Sequence, residues 1–99
     1  MKLLWAALAR ADLLAIRHFI AEHHPGAAKA VADKILRSAN LLREQPELGL
    51  ATHRNDVRRL LVAGSVYSII YRISDQDIEI IEVFDGRRHA PRTDLKPGD

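Results

Sequence analysis

The sequence predicts an α+β domain in which an antiparallel helical hairpin precedes a three-stranded antiparallel meander. Three observations predict it. Apolar residues recur at helical spacing from about residue 5 to residue 42, with one break at His24-Pro25-Gly26. Three runs rich in β-branched, aliphatic and aromatic residues follow, at 60–62, 66–73 and 78–84. They are joined by Ala63-Gly64-Ser65 and Ser74-Asp75-Gln76-Asp77, too short for the crossover that a parallel return needs, so the strands must fold back on one another.

Leu3, Leu4 and Trp5 fit either a short strand or the opening turn of a helix. Trp5, Ala9, Leu13, Ile16 and Ile20 form one helical stripe, and a helix is expected over 7–23 with Asp12, Arg17 and Glu22 turned outward. No Ser, Thr, Asp or Asn precedes Ala7 as an N-cap, so no local signal marks where that helix starts. The Pro-Gly break then separates it from a second helix over 27–43, whose stripe is Ala28, Val31, Ile35, Ala39 and Leu42. Lys29, Asp33 and Arg37 line its other side at i,i+4 spacing. Gln45-Pro46-Glu47-Leu48-Gly49 ends the hairpin, and residues 50–55 read as a polar connection.

In the middle strand Tyr67, Ile69, Tyr71 and Ile73 share one face, and Val66, Ser68, Ile70 and Arg72 the other. The first face is expected to pack on the helices, with the tyrosines as packing residues. The second is a candidate interaction surface. Residues 1–92 form a single domain, and 93–99, with Lys96-Pro97-Gly98, a flexible tail.

Composition narrows the function classes. At 99 residues, with 47% hydrophobic and 28% charged residues, the chain suits one small soluble domain. It has no cysteine, which excludes disulfides and thiolate zinc sites. The net charge is +2, and residues 1–56 carry eight Lys/Arg against six Asp/Glu while 57–99 carry seven against seven, so no global basic field points to nucleic acid. Arg10 and Asp12 interrupt the apolar N-terminus too early for a signal peptide, and no run spans a membrane; a cytoplasmic protein is expected.

Individual constellations are weak. His18 and Glu22 have a metal-like i,i+4 spacing, but His23 and His24 sit where a helix C-terminus favours them without any ligand. Ser65 or Ser68 with His89 lacks a nucleophile elbow, and Gly64 and Gly86 are isolated turn glycines rather than a phosphate loop. No cofactor or metal is expected. The arginines carry more: Arg58-Arg59 at the first strand, Arg72 closing the second, and Arg87-Arg88 with His89 and Arg92 after the third. Guanidinium forks at strand ends suit a carboxylate or a phosphate, and a meander could gather them on one rim.

Helix, helix and meander in that order, with PELG between hairpin and sheet, VRRLLVAGSVYSIIYRI across the first strand pair and I-x-I-I-x-V-F-D-G-R-R after it, resemble the RelE/ParE superfamily of bacterial toxin–antitoxin toxins. The similarity runs from about Leu3 to Arg92. It implies a short N-terminal strand before the helices and a sheet with the hairpin on one face. It also implies a partner, a ParD-like antitoxin usually built from a ribbon-helix-helix DNA-binding part and a segment that folds on the toxin, so that DNA is reached only through the antitoxin.

The superfamily divides into RelE-like ribosome-dependent mRNA endoribonucleases and ParE-like toxins that poison DNA gyrase without nuclease chemistry. The RNase class tends to carry an arginine after the tyrosine that opens the middle strand, and a tyrosine or histidine in the tail, to stabilise phosphate charge and move protons. Here Ser68 follows Tyr67 and no tyrosine follows Arg88. Gly86-Arg87-Arg88 is closer to the ParE-like pattern. The expectation is a gyrase-directed, non-enzymatic toxin with Arg58, Arg59, Arg72, Arg87 and Arg88 as contact residues; the alternative is an RNase using Arg58, Arg87 and His89.

Overall fold

The structure, a computed structural model, describes residues 1–95. Strand β1 (Lys2–Trp5) leads into helix α1 (Ala7–His23) and helix α2 (Pro25–Leu41). Strands β2 (Leu50–Ala51), β3 (Val57–Leu61), β4 (Tyr67–Ile73) and β5 (Asp77–Asp85) follow. They form one five-stranded sheet in the order β1-β5-β4-β3-β2, antiparallel except where β1 runs parallel to β5. The expected meander is its centre, and the resemblance's N-terminal strand is present. No helix among the described residues is long and apolar enough to cross a membrane.

The boundaries that sequence reading missed have non-local causes. The α1 start lacks a side-chain cap; the Ala6 N–H instead donates to Ile80 O at 2.9 Å, so pairing with β5 decides where strand gives way to helix. Helix α2 begins at Pro25 rather than residue 27, because proline suits the first helical position. Residues 50–51, expected in a connection, pair with Arg59 and Arg58 as an edge strand. Strand β3 starts at Val57, three residues before the apolar run, since arginine stems tolerate a sheet surface.

Both helical stripes face the sheet. Ala9, Ile35, Ala39 and Leu42 are buried against Ile69, Tyr71, Ile78 and Ile80, with Leu13, Ile16 and Ile20 at the margin. In β5 the Ile80-Ile81 doublet marks a bulge: Ile70 pairs with Glu82 and Tyr71 with Ile80, leaving Ile81 as the extra residue. The bulge keeps Ile78, Ile80 and Val83 on the helical side while Glu79, Glu82 and Phe84 share the outer side with their partners Arg72, Ile70 and Ser68. The outer side has a small apolar centre of its own, Val57, Ile70 and Phe84.

Tyr71 fastens the hairpin's exit to the sheet. Its hydroxyl donates to Pro46 O at 2.6 Å and accepts from the Gly49 N–H at 2.9 Å. A Cβ at Gly49 would stand 2.8 Å from the Tyr71 ring and hydroxyl and 2.9 Å from Arg59 O. Gly49→Ala is therefore expected to destabilise by roughly 1–3 kcal/mol through overpacking. Tyr71→Phe is expected to cost about 1–3 kcal/mol by leaving two backbone groups unpaired. Urea unfolding followed by circular dichroism checks both; a wild-type midpoint for Gly49→Ala would show that the exit loop gives way freely.

Candidate docking surface

The pleat separates the arginines that the sequence places side by side. Arg58 pairs with Tyr71 and lies on the helical side, where Nη1 donates to Gly49 O at 2.7 Å and Glu47 O at 3.4 Å. It holds the exit loop. Arg59 pairs with Ile70 and lies on the outer side, its Nε 3.4 Å from Ser68 Oγ and its guanidinium 5.1 Å from the Phe84 ring centre. Among the described residues no carboxylate pairs with it. A Cβ at Gly86 would come within 3.0 Å of Arg59 Nη2, so the glycine leaves the fork its space.

Apolar groups flank this guanidinium. Leu50 is its cross-strand partner and 77% exposed; Leu61, two residues along the same side of β3, is 64% exposed. Arg87 and Arg88 follow Gly86, at the end of β5 that Arg59 reaches. Arg87 pairs with Asp85 at 3.4 Å, and Arg88 lies 5.4 Å from the Phe19 ring centre on α1. Arg72 is at the sheet's other end, neutralised by Glu79 at 2.6 Å. The Glu79 hydrogen bond holds its guanidinium proton even more firmly than usual.

Arg59 thus reaches the Gly86 turn that carries Arg87 and Arg88, but Arg87 turns to Asp85 and Arg88 to Phe19 on α1, and Arg58 and Arg72 lie elsewhere. Arg58 is level with Ile80, roughly 13 Å along the strand from Asp85, where β5 ends and the turn carrying Arg87 and His89 begins. Arg58, Arg87 and His89 therefore do not converge. Ser68, 1% exposed, lies beneath Arg59. Burial pushes the Tyr67 and Tyr71 phenols upward, which suits their packing role and leaves neither poised as a base. His18 Nε2 and Glu22 Oε1 form an exposed 3.1 Å contact, and no group of three or more His, Asp or Glu among the described residues could hold a metal.

Beside the arginines, α1 and the segment after β5 enclose a groove of about 500 Å³ lined by Ile16, Phe19, Tyr67, Arg88 and His89 among others. The groove exists because β1 pairs only with residues 77–80 of β5. Beyond them Asp12 caps the free edge, accepting from the Val83 N–H at 3.1 Å and from Arg92 Nη2 at 2.6 Å. Asp12 therefore turns inward, against the sequence expectation.

Sequence reading also missed Glu82. It is 2% exposed and accepts from Arg92 N at 2.9 Å, Arg92 Nε at 3.3 Å, Thr93 N at 3.0 Å and Thr93 Oγ1 at 2.7 Å. Of the tail expected over 93–99, residues 93–95 are held against the sheet, with Leu95 packed on Val57, Ile70 and Phe84; residues 96–99 lie outside those described. A Glu ten residues before an Arg-Thr pair has no local signature that could have revealed this.

Burial pushes the Glu82 carboxyl up, but the Arg92 and Thr93 hydrogen bonds and the Arg92 charge outweigh it and hold it below the usual carboxylate range. A carboxyl lowered on folding stabilises fully above its unfolded value and loses that contribution as pH falls through its folded value. Stability should therefore decline from about pH 5 downward. Glu82→Gln should be less stable at neutral pH and lose less on acidification. Unfolding midpoints measured across pH check this; parallel acid limbs would remove Glu82 as a cause.

Comparison with known proteins places these features in a family. Residues 3–90 match the family model described as "ParE toxin of type II toxin-antitoxin system, parDE". The chain is 37% identical over 92 residues to "Toxin RelE2" of Caulobacter vibrioides, covering 92% of this chain and 97% of that one. Its fold is similar to a solved structure described as "Chromosomal ParDE TA system from P. aeruginosa", with a TM-score of 0.77, 24% identity, and coverage of 86% of this chain and 95% of that one.

Proposed function

This chain belongs to the ParE toxin family of type II toxin–antitoxin systems, and from that premise we propose that it inhibits DNA gyrase by protein–protein contact through the outer face around Arg59. The observation that carries this reading is a half-buried guanidinium, with no carboxylate partner among the described residues, set between two exposed leucines, Leu50 and Leu61. A desolvated arginine ringed by apolar area is the usual anchor of a protein interface. A phosphate track would sooner be lined by further cations and aromatic rings. Arg87 and Arg88 extend the contact at its rim.

A cognate antitoxin of the ParD-like, ribbon-helix-helix type neutralises the toxin by covering the same arginines with an acidic segment, and DNA is engaged only through that antitoxin. The site of action is the cytoplasm, where gyrase works. The RNase alternative is kept by the name of the Caulobacter relative, but Arg58 stands apart from Arg87 and His89, and Ser68 supplies no charge beside Tyr67.

Purified toxin is expected to stop gyrase supercoiling or to trap cleaved DNA. Arg59→Ala should weaken inhibition at least tenfold, as truncation of a central interface arginine does. Leu61→Ser should weaken it by a smaller factor, and Arg72→Ala should leave it within about twofold because that charge is already paired. Well-folded toxin that leaves supercoiling untouched sinks the gyrase reading; codon-phased cuts in translated mRNA from the same preparation would install the RNase in its place.

A further inference from the structure

No helix covers the outer centre of the sheet, yet Val57, Ile70 and Phe84 are buried. The cover comes from Ile81, from Arg59 over Phe84 and, in the segment after β5, from Leu95. Every hydrogen bond that the Glu82 carboxylate accepts comes from two successive residues of that segment, Arg92 and Thr93. Arg92 reaches on to Asp12 at 2.6 Å, Arg54 Nη1 donates to Asp94 O at 3.3 Å, and Leu95 lies on the apolar centre. The fastening thus rests on two carboxylates, Glu82 and Asp12, with Leu95 as its apolar contact.

The main core is built on the opposite side of the sheet, so opening of this segment would cost only its own contacts, the Arg92–Asp12 pair with α1 included. Lifting it leaves Asp12 its Val83 N–H donor. Glu82 projects from the side without helices, so release exchanges its four donors for water rather than for a dry interior.

We propose that residues 92–95 are a releasable strap that closes the outer face of the sheet in the free chain and lifts to expose Val57, Ile70 and Phe84 beside Arg59. A partner reading Arg59, Leu50 and Leu61 then gains adjoining apolar area, a role that rests on the gyrase reading above. The strap makes this face smaller and more polar in the free toxin than in the bound one.

The chain has no cysteine, so Ile70→Cys sets a single thiol under the strap. It should react slowly with a water-soluble disulfide reagent. Adding Thr93→Val, which deletes the 2.7 Å hydroxyl bond to Glu82, should raise that rate about tenfold, as loss of one hydrogen bond to a charged group does. Ile78→Cys, buried on the helical side, reports global unfolding and should stay slow with the same Thr93→Val change. Val57→Cys replaces Ile70→Cys if the latter does not fold. A rate unmoved by Thr93→Val, or one rising in step with that at Ile78, overturns the strap. The labelling needs no partner, so absence of gyrase inhibition would remove the functional reading alone and leave this result to stand or fall by itself.

Discussion

The pairing of β5 on its two edges governs the rest of the molecule. Along one edge β4 matches it almost throughout; along the other, β1 covers only residues 77–80 before the chain turns into α1. An uncovered N–H in mid-sheet carries a desolvation cost, and Asp12 meets it at Val83. That carboxylate also takes Arg92. One short strand thus fixes where α1 starts, why a groove opens beside it, and where the segment after β5 is anchored.

The second constraint is the two-residue period of the strand. Because neighbouring side chains leave opposite faces, Arg58 and Arg59 serve unrelated ends: one ties down the exit loop beneath the helices, the other stands on the outer face. A basic pair in sequence is not a basic patch in space. Arg59 on β3 instead approaches Gly86, 27 residues on in the chain, while Arg87 and Arg88 beyond it turn to Asp85 and Phe19.

Much of this was legible. The stripes of α1 and α2 and the facing of Tyr67, Ile69 and Tyr71 followed from period, since burial on one side imposes it, and the central meander followed from apolar runs joined by connections too short for a crossover. The missing parts are those fixed by partners distant in sequence. Ala6 ends a strand through Ile80, residues 50–51 become a strand through β3, and Glu82 is buried by Arg92 and Thr93. At the docking surface the residue types were visible, but which arginine is paired depends on facing carboxylates. Arg72 and Arg59 are alike in sequence context; Glu79 opposes the first and Phe84 underlies the second.

That difference bears on what each arginine contributes. An exposed pair such as Arg72–Glu79 adds little to stability and offers a partner little, because binding it means breaking a contact already made. Arg59 has been partly desolvated by folding, against Phe84 and Ser68, without receiving a counter-charge. Its desolvation has been met in the free protein, so a carboxylate arriving there meets a guanidinium with less water to shed and a fixed direction of approach. Leu50 and Leu61 beside it exclude the remaining water on contact. The fold thus leaves Arg59 without a carboxylate among the described residues on the outer face, and a protein surface with an acidic group set in apolar ground is the complement that would complete it.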